Sequence, residues 1–234
     1  MFGNTPIYMR TDKFHRKSWS IQRSWQKRER LGKKEVISRA RLALRATQNG
    51  PRNACLIALT YLTAARATEI LDLKVNNISH EIKGGRDCII FTIPNKKHRN
   101  KKFKTIPIAI DYESDAELLK MARPYMEQMQ ERGISDRAQI LLNLPPDDLD
   151  EDEEEYLNRE LRLFNMTYGA FYYNIRKFTG LNPHYLRHLR LTELATSNQM
   201  KPFSLQRIAG WTDLKPAQQY LELNVADIAA DMPK

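Results

Sequence analysis

Residues 182–188 read Asn-Pro-His-Tyr-Leu-Arg-His, and they predict the start of a helix over residues 184–197. Asparagine and proline are a typical N-cap and first-turn pair, because the asparagine side chain accepts a backbone N–H and the proline ring has helical geometry. The stretch places His184, Arg187 and His188 on the first turns. The two histidines at i and i+4 are compatible with half a metal site, but no HExxH pattern or third ligand accompanies them. A metal site is therefore not expected.

Two further segments differ from generic helices. Residues 63–70 read Thr-Ala-Ala-Arg-Ala-Thr-Glu-Ile and follow an apolar helix predicted over residues 53–62. Gly210-Trp211 follows a short predicted helix, and Tyr220 comes nine residues after the tryptophan. Taken singly, each has an ordinary explanation: an arginine at a helix start is usually on the surface, and a tryptophan or tyrosine usually packs in a core. Only their combination in this order along the chain distinguishes these residues from ordinary surface and core residues.

The rest of the chain predicts a mainly helical protein with one small antiparallel hairpin. Residues 87–93 and 105–110 are β-branched and apolar runs, and the polar loop at residues 95–102 between them holds five Lys or Arg residues and a histidine. Apolar residues recur at helical spacing elsewhere. Helices are expected from residue 33 to the Asn-Gly-Pro sequence at 49–51, and at residues 53–62, 68–73, 114–132, 167–178, 184–197, 204–209 and 216–223.

Composition excludes several protein classes. The chain has 234 residues, of which 41% are hydrophobic, so it allows one large domain or one domain with a short appendage. Its longest apolar stretch, about twelve residues at 54–65, is too short to span a bilayer, and no secretory signal is visible. Cys55 and Cys88 form neither a disulfide framework nor a CxxC pair. An intracellular location without a membrane partner is therefore expected.

The net charge of +10 is unevenly distributed. Residues 1–49 hold thirteen Lys or Arg against three acids, and residues 1–32 mix basic with aromatic side chains, which predicts a basic N-terminal arm. Eight acids crowd into residues 147–155, which predicts a solvated acidic loop because like charges repel. A basic arm on a basic body favours a polyanionic partner, most often nucleic acid, over a plain solvated surface.

Taken in order, three motifs resemble the catalytic domain of the tyrosine recombinases, also called the phage integrase family: Arg66, then His184-x-x-Arg187, then Gly210-Trp211 followed by Tyr220. The resemblance covers roughly residues 35–225. It implies a mainly α catalytic domain with a small antiparallel sheet at residues 33–224, followed by a C-terminal tail at 225–234. It also implies a site-specific recombinase or integrase that cuts and rejoins double-stranded DNA, without a metal or nucleotide cofactor, as dimers and tetramers.

The resemblance implies a role for each residue of these motifs. Tyr220 is the expected nucleophile, and its attack on a DNA phosphodiester forms a 3′-phosphotyrosyl bond and frees a 5′-hydroxyl. Arg66 and Arg187 are expected to bind the non-bridging phosphate oxygens through their forked, permanently charged donors. His184 and Trp211 are expected to donate to the same oxygens, Trp211 through its indole N–H.

The departing 5′-oxygen needs a proton, and in this family a lysine of the β-hairpin supplies it. Lys96 is the first choice and Lys97 the second, since the loop offers several lysines. His188 is expected to assist or orient the reacting groups, and Glu69 to brace the site. Further DNA contacts are expected from basic residues of the arm, the first helix and the loop: Arg23, Lys27, Arg28, Arg30, Lys33, Lys34, Arg99, Lys101 and Lys102.

The sequence departs from the family pattern in three places. Many members carry Thr-Gly before the first arginine, where this chain has Ala64-Ala65, so the turn loses the conformational freedom of a glycine. Trp211 replaces the commoner histidine, a variant that the family tolerates. Members usually carry a helical core-binding domain in front, whereas only the arm and one helix precede Asn53. Either that domain is missing from this sequence or the arm closes around DNA by itself.

Two other functions fit the same features. A type IB topoisomerase-like enzyme would relax supercoils with this chemistry, without sequence preference and without assembly. A catalytically silent protein would use Gly210–Tyr220 only to read DNA, although the full set of candidate catalytic residues argues against it. A salt-sensitive DNA affinity is expected in all three cases, so binding alone does not distinguish them.

Overall fold

The computed structural model describes residues 32–46, 49–95, 103–196 and 200–221. Over these residues the chain forms a mainly helical fold with a small antiparallel sheet, as the sequence predicts. The helices are α1 (Lys33–Leu44), α2 (Gly50–Leu62), α3 (Ala67–Leu71), α4 (Glu113–Glu131), α5 (Asp136–Leu142), α6 (Glu151–Leu161), α7 (Tyr168–Thr179), α8 (Pro183–Thr196), α9 (Pro202–Ala209) and α10 (Lys215–Leu221). The strands are β1 (Ile78–Lys83), β2 (Arg86–Pro94) and β3 (Phe103–Ala109), and short 3₁₀ helices lie at Val75–Asn77 and Pro146–Asp148.

Helix α2 forms the centre of the fold, and every residue from Asn53 to Leu62 is buried. It packs against α1, α4 and α8. Pro51 lies in its first turn, where the missing N–H breaks no helical hydrogen bond, and an almost uninterrupted apolar run follows. Such a run gives a helix no polar face to turn toward water, so burial on all sides is its stable state.

The sheet has three antiparallel strands in the order β1-β2-β3. β1 and β2 are joined through Gly84-Gly85, whose φ angles of 57° and 76° suit a tight hairpin turn that glycine adopts without strain. β2 pairs with β3, with Phe91 opposite Ile106. The sequence predicted only this second hairpin. β1 escaped prediction because most of its side chains are polar and it is largely exposed.

A buried network of charged side chains joins α1, α2, α4 and α8. Arg190 donates to the two carboxylate oxygens of Asp115 at 3.0 and 2.6 Å, and to Glu193 at 2.7 Å. Lys33 pairs with Asp115 and, at 3.0 Å, with Glu193, and the Tyr61 hydroxyl donates to Glu193 at 2.9 Å. Two carboxylates and two cations therefore hold the first described helix against α8, the helix that carries the His-x-x-Arg motif.

The acidic run at residues 147–155 is not a loop. It spans a 3₁₀ helix and the first turns of α6, whose N-cap Asp150 accepts the Glu153 N–H at 2.8 Å. Glu153 in turn accepts the Asp150 N–H at 3.3 Å, which completes a capping box. Carboxylates in a first turn are stabilised by the positive end of the helix dipole, and this offsets their mutual repulsion. The acidic side chains are largely exposed, as predicted, but the prediction of a loop was wrong for this reason.

A smaller hydrophobic cluster holds the last two described helices against α8. Its buried members include Leu191 and Leu194 of α8, Leu205 of α9, and Ala217 and Tyr220 of α10. Ala64, in the turn before α3, belongs to the same cluster, so this packing brings together segments that are far apart in the sequence. Within the described ranges, no helix is both long enough and apolar enough to cross a membrane.

Candidate active site

Arg187 is fixed on α8 and points into the protein. The Asn182 side-chain oxygen accepts the Tyr185 N–H at 2.8 Å, so α8 begins with the cap that the sequence predicts. Arg187 is 2% exposed; its Nη2 donates to the Ala209 carbonyl at 2.7 Å, and its Nη1 donates to the Ala64 carbonyl. These two hydrogen bonds orient the guanidinium.

Arg66 lies at the N-cap of α3 and pairs with Glu69. Its backbone N–H donates to Glu69 Oε2 at 2.8 Å, and its Nη1 donates to Oε1 at 2.6 Å. The Glu69 side chain is fully buried, whereas that of Arg66 is 18% exposed. The carboxylate therefore holds the guanidinium from its protein-facing side, and part of the guanidinium faces solvent. Ala64, in the turn before α3, has a φ of 46°, which lies in the left-handed region that favours glycine. The turn is formed without glycine, at the cost of backbone strain.

The two arginines lie close enough for their charges to interact. Burial lowers the pKa of Arg187 to about 10, and the nearby charge of Arg66 contributes to the lowering. Arg187 remains charged at neutral pH, so two permanent cations converge beside one buried carboxylate, that of Glu69. A concentration of positive charge of this kind is what binds an oxyanion.

Tyr220 lies between an imidazole and an indole. The Tyr220 ring is fully buried, and its centroid is 5.6 Å from that of Trp211 and 5.8 Å from that of His188. The Tyr220 hydroxyl is hydrogen-bonded to His188 Nδ1, and His188 Nε2 lies 2.8 Å from His184 Nε2. Trp211 is half-buried. The structure therefore brings together the tyrosine, the tryptophan and the two histidines named from the sequence, and it places His188 directly against the phenol.

Lys104 lies beside the Arg66–Glu69 pair and was not among the residues predicted from the sequence. Its Nζ lies 3.0 Å from Glu69 Oε2 and donates to the Ile208 carbonyl at 3.2 Å. Burial lowers the pKa of Lys104 to about 8; Glu69 raises it, but Arg187 and Arg66 oppose that effect. A signal was available: Lys104 is in phase with the buried Ile106 and Ile108 of β3, so its side chain had to point inward.

Several predicted residues lie outside the part of the chain that the structure describes. They are Lys96, Lys97, Arg99, Lys101 and Lys102 of the hairpin loop, and Arg23, Lys27, Arg28 and Arg30 of the arm. Of the two predicted DNA contacts on α1, Lys34 is exposed, whereas the Lys33 side chain is 11% exposed and its ammonium is used in the ion network. The geometry therefore gives no support to Lys33 as a DNA contact.

The loop with the candidate lysines begins next to the tryptophan segment. Asn95, the last described residue before that loop, is buried and packs on Gly210. A Cβ on Gly210 would lie 3.2 Å from the Asn95 amide atoms, and the φ of Gly210 is 64°. Both the close approach and the left-handed backbone require glycine here. This contact fixes the distance between the end of β2 and Trp211.

An open groove of about 410 Å³ lies beside Arg66, between the starts of α3, α7 and α8. Its polar and aromatic lining includes Arg66, Thr68, Tyr168, Tyr172, Asn182 and His184. Cations, hydroxyls and aromatic rings along one groove suit a phosphate backbone and its bases. Within the described residues, no group of three His, Cys, Asp or Glu side chains has an arrangement that could hold a metal ion.

A helical domain with a small antiparallel sheet, two converging arginines and an adjacent tyrosine has the architecture of a tyrosine recombinase catalytic domain. The chain belongs to the phage integrase family, whose family model matches residues 33–227. No curated protein matches the sequence.

Solved structures of recombinases share the fold. The chain is similar to the XerH site-specific recombinase bound to its difH substrate before cleavage (TM-score 0.53, 20% identity) and to XerH bound to palindromic difH after cleavage (TM-score 0.54, 19% identity). Each match covers 86% of this chain and 52% of the XerH chain, so this chain spans about half the length of these relatives. It is also similar to the XerA recombinase, with a TM-score of 0.52 and 17% identity over 100% of this chain and 68% of that one.

Proposed function

We propose that this protein is a site-specific recombinase that cleaves and rejoins DNA strands through a covalent bond between Tyr220 and a DNA 3′-phosphate. The observation that carries the proposal is the convergence of Arg66 and Tyr220 on Arg187, with Trp211 stacked on the Tyr220 ring and His188 on the phenol. Family membership and the similarity to XerH structures with DNA substrates support it. Double-stranded DNA is the proposed partner, on which the protein assembles as dimers and tetramers to exchange strands.

The positive charge of the site supplies the electrostatic part of catalysis. Attack on a phosphodiester builds negative charge on the two non-bridging oxygens. Arg66 and Arg187 are already oriented, by Glu69 and by two backbone carbonyls, and so need little reorganisation to bind that charge. The indole N–H of Trp211 and the His184 imidazole add donors at the same place. Removing one preorganised donor of this kind typically slows a reaction about 10²–10³-fold.

The proton balance assigns roles to three further groups. The Tyr220 oxygen forms a bond to phosphorus while the bond from phosphorus to the 5′-oxygen breaks, so the energy of the linkage is kept for rejoining. A tyrosine phenol ordinarily has a pKa of about 10, so it must lose its proton to a base as it attacks. His188 is in place to accept that proton and His184 to share it. Lys96 or Lys97 is proposed to protonate the 5′-oxygen.

Access to the nucleophile requires movement. Tyr220 is fully buried in the described structure, so its hydroxyl reaches a DNA phosphate only if α10 shifts. α10 is seven residues long and rests on the small cluster around Leu191 and Leu205 rather than on the main core. A short helix with few buried apolar contacts is displaced at a small cost in free energy. DNA binding is therefore proposed to uncover the tyrosine.

The decisive experiment traps the covalent intermediate. A library of candidate duplexes with a 5′-bridging phosphorothiolate is incubated with the protein, because the sulfur leaves without a proton and rejoins poorly. A sequence-selective protein–DNA adduct on a denaturing gel is expected for the wild type and for Tyr173→Phe, an exposed tyrosine of α7, and is expected to vanish in Tyr220→Phe. An adduct that survives in Tyr220→Phe would show that another residue is the nucleophile.

Other outcomes point to the alternative functions. An adduct on every duplex would favour a topoisomerase-like relaxing enzyme, and tight binding without any adduct would favour a silent DNA-binding protein. The same substrates identify the general acid. Lys96→Met or Lys97→Met is expected to slow cleavage of the oxygen substrate but not of the phosphorothiolate, since a thiolate leaves without protonation.

A further inference from the structure

One buried charge has no part in the mechanism above: the ammonium group of Lys104. Its side chain is 4% exposed and lies behind Glu69, which is itself fully buried. The ammonium is engaged by Glu69 and the Ile208 carbonyl and does not line the groove beside Arg66, and a buried charge is retained only where partners compensate for its lost hydration. The question is what this charge does for the site.

Lys104 links three separate elements. From β3 it reaches Glu69 on α3 at 3.0 Å and the Ile208 carbonyl near the end of α9 at 3.2 Å. Ile208 is three residues before Trp211, and the next carbonyl, that of Ala209, accepts from Arg187. The end of α9 is thus held by Lys104 on one side and by Arg187 on the other.

The charges in this cluster are not balanced. Three cations, Arg66, Arg187 and Lys104, surround the single carboxylate of Glu69. Lys104 pairs with one oxygen of Glu69 and neutralises part of its charge. The carboxylate therefore attracts the Arg66 guanidinium less strongly. Without Lys104, Glu69 would be a buried carboxylate with Arg66 as its remaining ionic partner, and the guanidinium would be held more tightly away from a ligand.

We propose that Lys104 is a positioning residue of the strand-transfer reaction: it neutralises Glu69 and ties the end of α9 to α3, so that Arg66, Arg187 and Trp211 are aligned on one phosphate. This role rests on the strand-transfer function proposed above. It differs from that of the loop lysine, because Lys104 donates no proton to the leaving oxygen.

The charges around Lys104 make its contribution dependent on pH. Glu69 and Arg66 face it from α3 and Arg187 from α8, while Arg207 of α9 and the uncharged Asn95 after β2 line the adjoining cavity. With a pKa of about 8, the ammonium loses its proton as the pH rises through this value, and its ion pair with Glu69 is lost with it. The alignment therefore weakens on the alkaline side.

The test measures single-turnover cleavage from about pH 6 to about pH 9.5 for the wild type, Lys104→Met, Lys104→Arg and the exposed-surface control Lys120→Met. Lys104→Met is expected to be about 10–100-fold slower at neutral pH, as for a misaligned site, with DNA affinity nearly unchanged. The slowing is expected on the phosphorothiolate substrate as well. Lys104→Arg is expected to restore most of the rate and to move the alkaline fall to higher pH, because arginine keeps its charge.

A second measurement does not depend on activity. The Glu69 carboxyl, followed by NMR titration, is expected to titrate at higher pH in Lys104→Met than in the wild type. Burial raises the pKa of Glu69, but Lys104 and Arg66 lower it, and the lowering prevails. A wild type that forms no adduct on any duplex would refute the strand-transfer function, while this titration still tests the link between Lys104 and Glu69.

Three results would overturn the role of Lys104. They are a Lys104→Met protein with the rate and pH profile of the wild type, a slowing that disappears on the phosphorothiolate substrate, and a Glu69 titration that does not change. If Lys104→Arg fails to fold, the Met variant and the titration decide the matter.

Discussion

The buried ion network predicts that two chemically identical ion pairs differ widely in their effect on stability. Arg190 binds Asp115 through two hydrogen bonds of 2.6 and 3.0 Å, and Arg86 binds Asp111 through two of 2.8 and 3.3 Å. The first pair is buried, with side chains 4% and 6% exposed, whereas the second is 51% and 59% exposed. Asp115→Asn and Asp111→Asn therefore make the same substitution in two doubly hydrogen-bonded Arg–Asp pairs, at two levels of solvation.

The expected loss follows from what remains after each change. In Asp115→Asn, Arg190 and Lys33 share Glu193 as their remaining carboxylate, so one buried positive charge loses its compensation. Removing one partner of a buried pair costs about 3–5 kcal/mol. For a domain of this size that lowers the melting temperature by on the order of 10 °C. Asp111→Asn is expected to have the melting temperature of the wild type, because water already solvates both charges of the Arg86–Asp111 pair.

Equilibrium urea unfolding and thermal melting, each at low and at high salt, measure these effects. The loss in Asp115→Asn is expected to persist at high salt, because a buried pair is poorly screened. Equal and small losses in the two variants would refute the reasoning, since they would mean that the network contributes no more than a surface pair.

Three further predictions concern the site and its surroundings. Arg187→Lys is expected to reduce the rate of adduct formation about 10²–10³-fold, because the single nitrogen of an ammonium cannot reach both carbonyls and a phosphate as the forked guanidinium does. The control Arg176→Lys on α7 is expected to leave the rate unchanged, and equal rates in the two variants would contradict this role. Ala64→Val is expected to lower the free energy of unfolding by about 2 kcal/mol or more in urea titrations, since a β-branched residue is strained at φ 46°; an unchanged midpoint would exclude strain there. For Glu193, burial raises the pKa but Arg190 and Lys33 lower it, and the lowering prevails. Its stabilisation is thus present above the unfolded-state pKa of about 4.3 and lost as the pH falls through the folded value, so Glu193→Gln should flatten the acid limb of stability against pH.

Local patterns in the sequence were sufficient for most helices and for recognising the family from the order of its motifs. The cap at Asn182 and the apolar run of α2 are local signals, and both are found as predicted. The acidic run was predicted to be a loop because the repulsion between its carboxylates was considered without the capping box of Asp150 and Glu153, which stabilises the start of α6. β1 was missed because exposed strands carry little apolar alternation.

Long-range electrostatic contacts could not be predicted. Lys33 meets Asp115 across 82 residues of sequence, and Arg190 meets Asp115 across 75. Nothing local distinguishes these residues from solvated ones, because their partners are defined only once the helices pack. Lys104 was partly predictable. Its position in β3 indicated an inward-pointing side chain, but its partner Glu69 is known only from the folded structure.

The position of Lys33 sets a limit for shortening the protein. A version that begins at residue 32 retains the ammonium that holds α1 to α4 and α8, while it removes residues 1–31 with eight Lys or Arg and two acids. A cut beyond Lys33 would leave Asp115 and Glu193 with one cation fewer. The contribution of this basic segment to the proposed binding of DNA can therefore be measured separately from that of the candidate active site. For every phosphate that the basic segment neutralises, its removal reduces the slope of log affinity against log salt by about 0.9, so the change in slope gives the number of those phosphates.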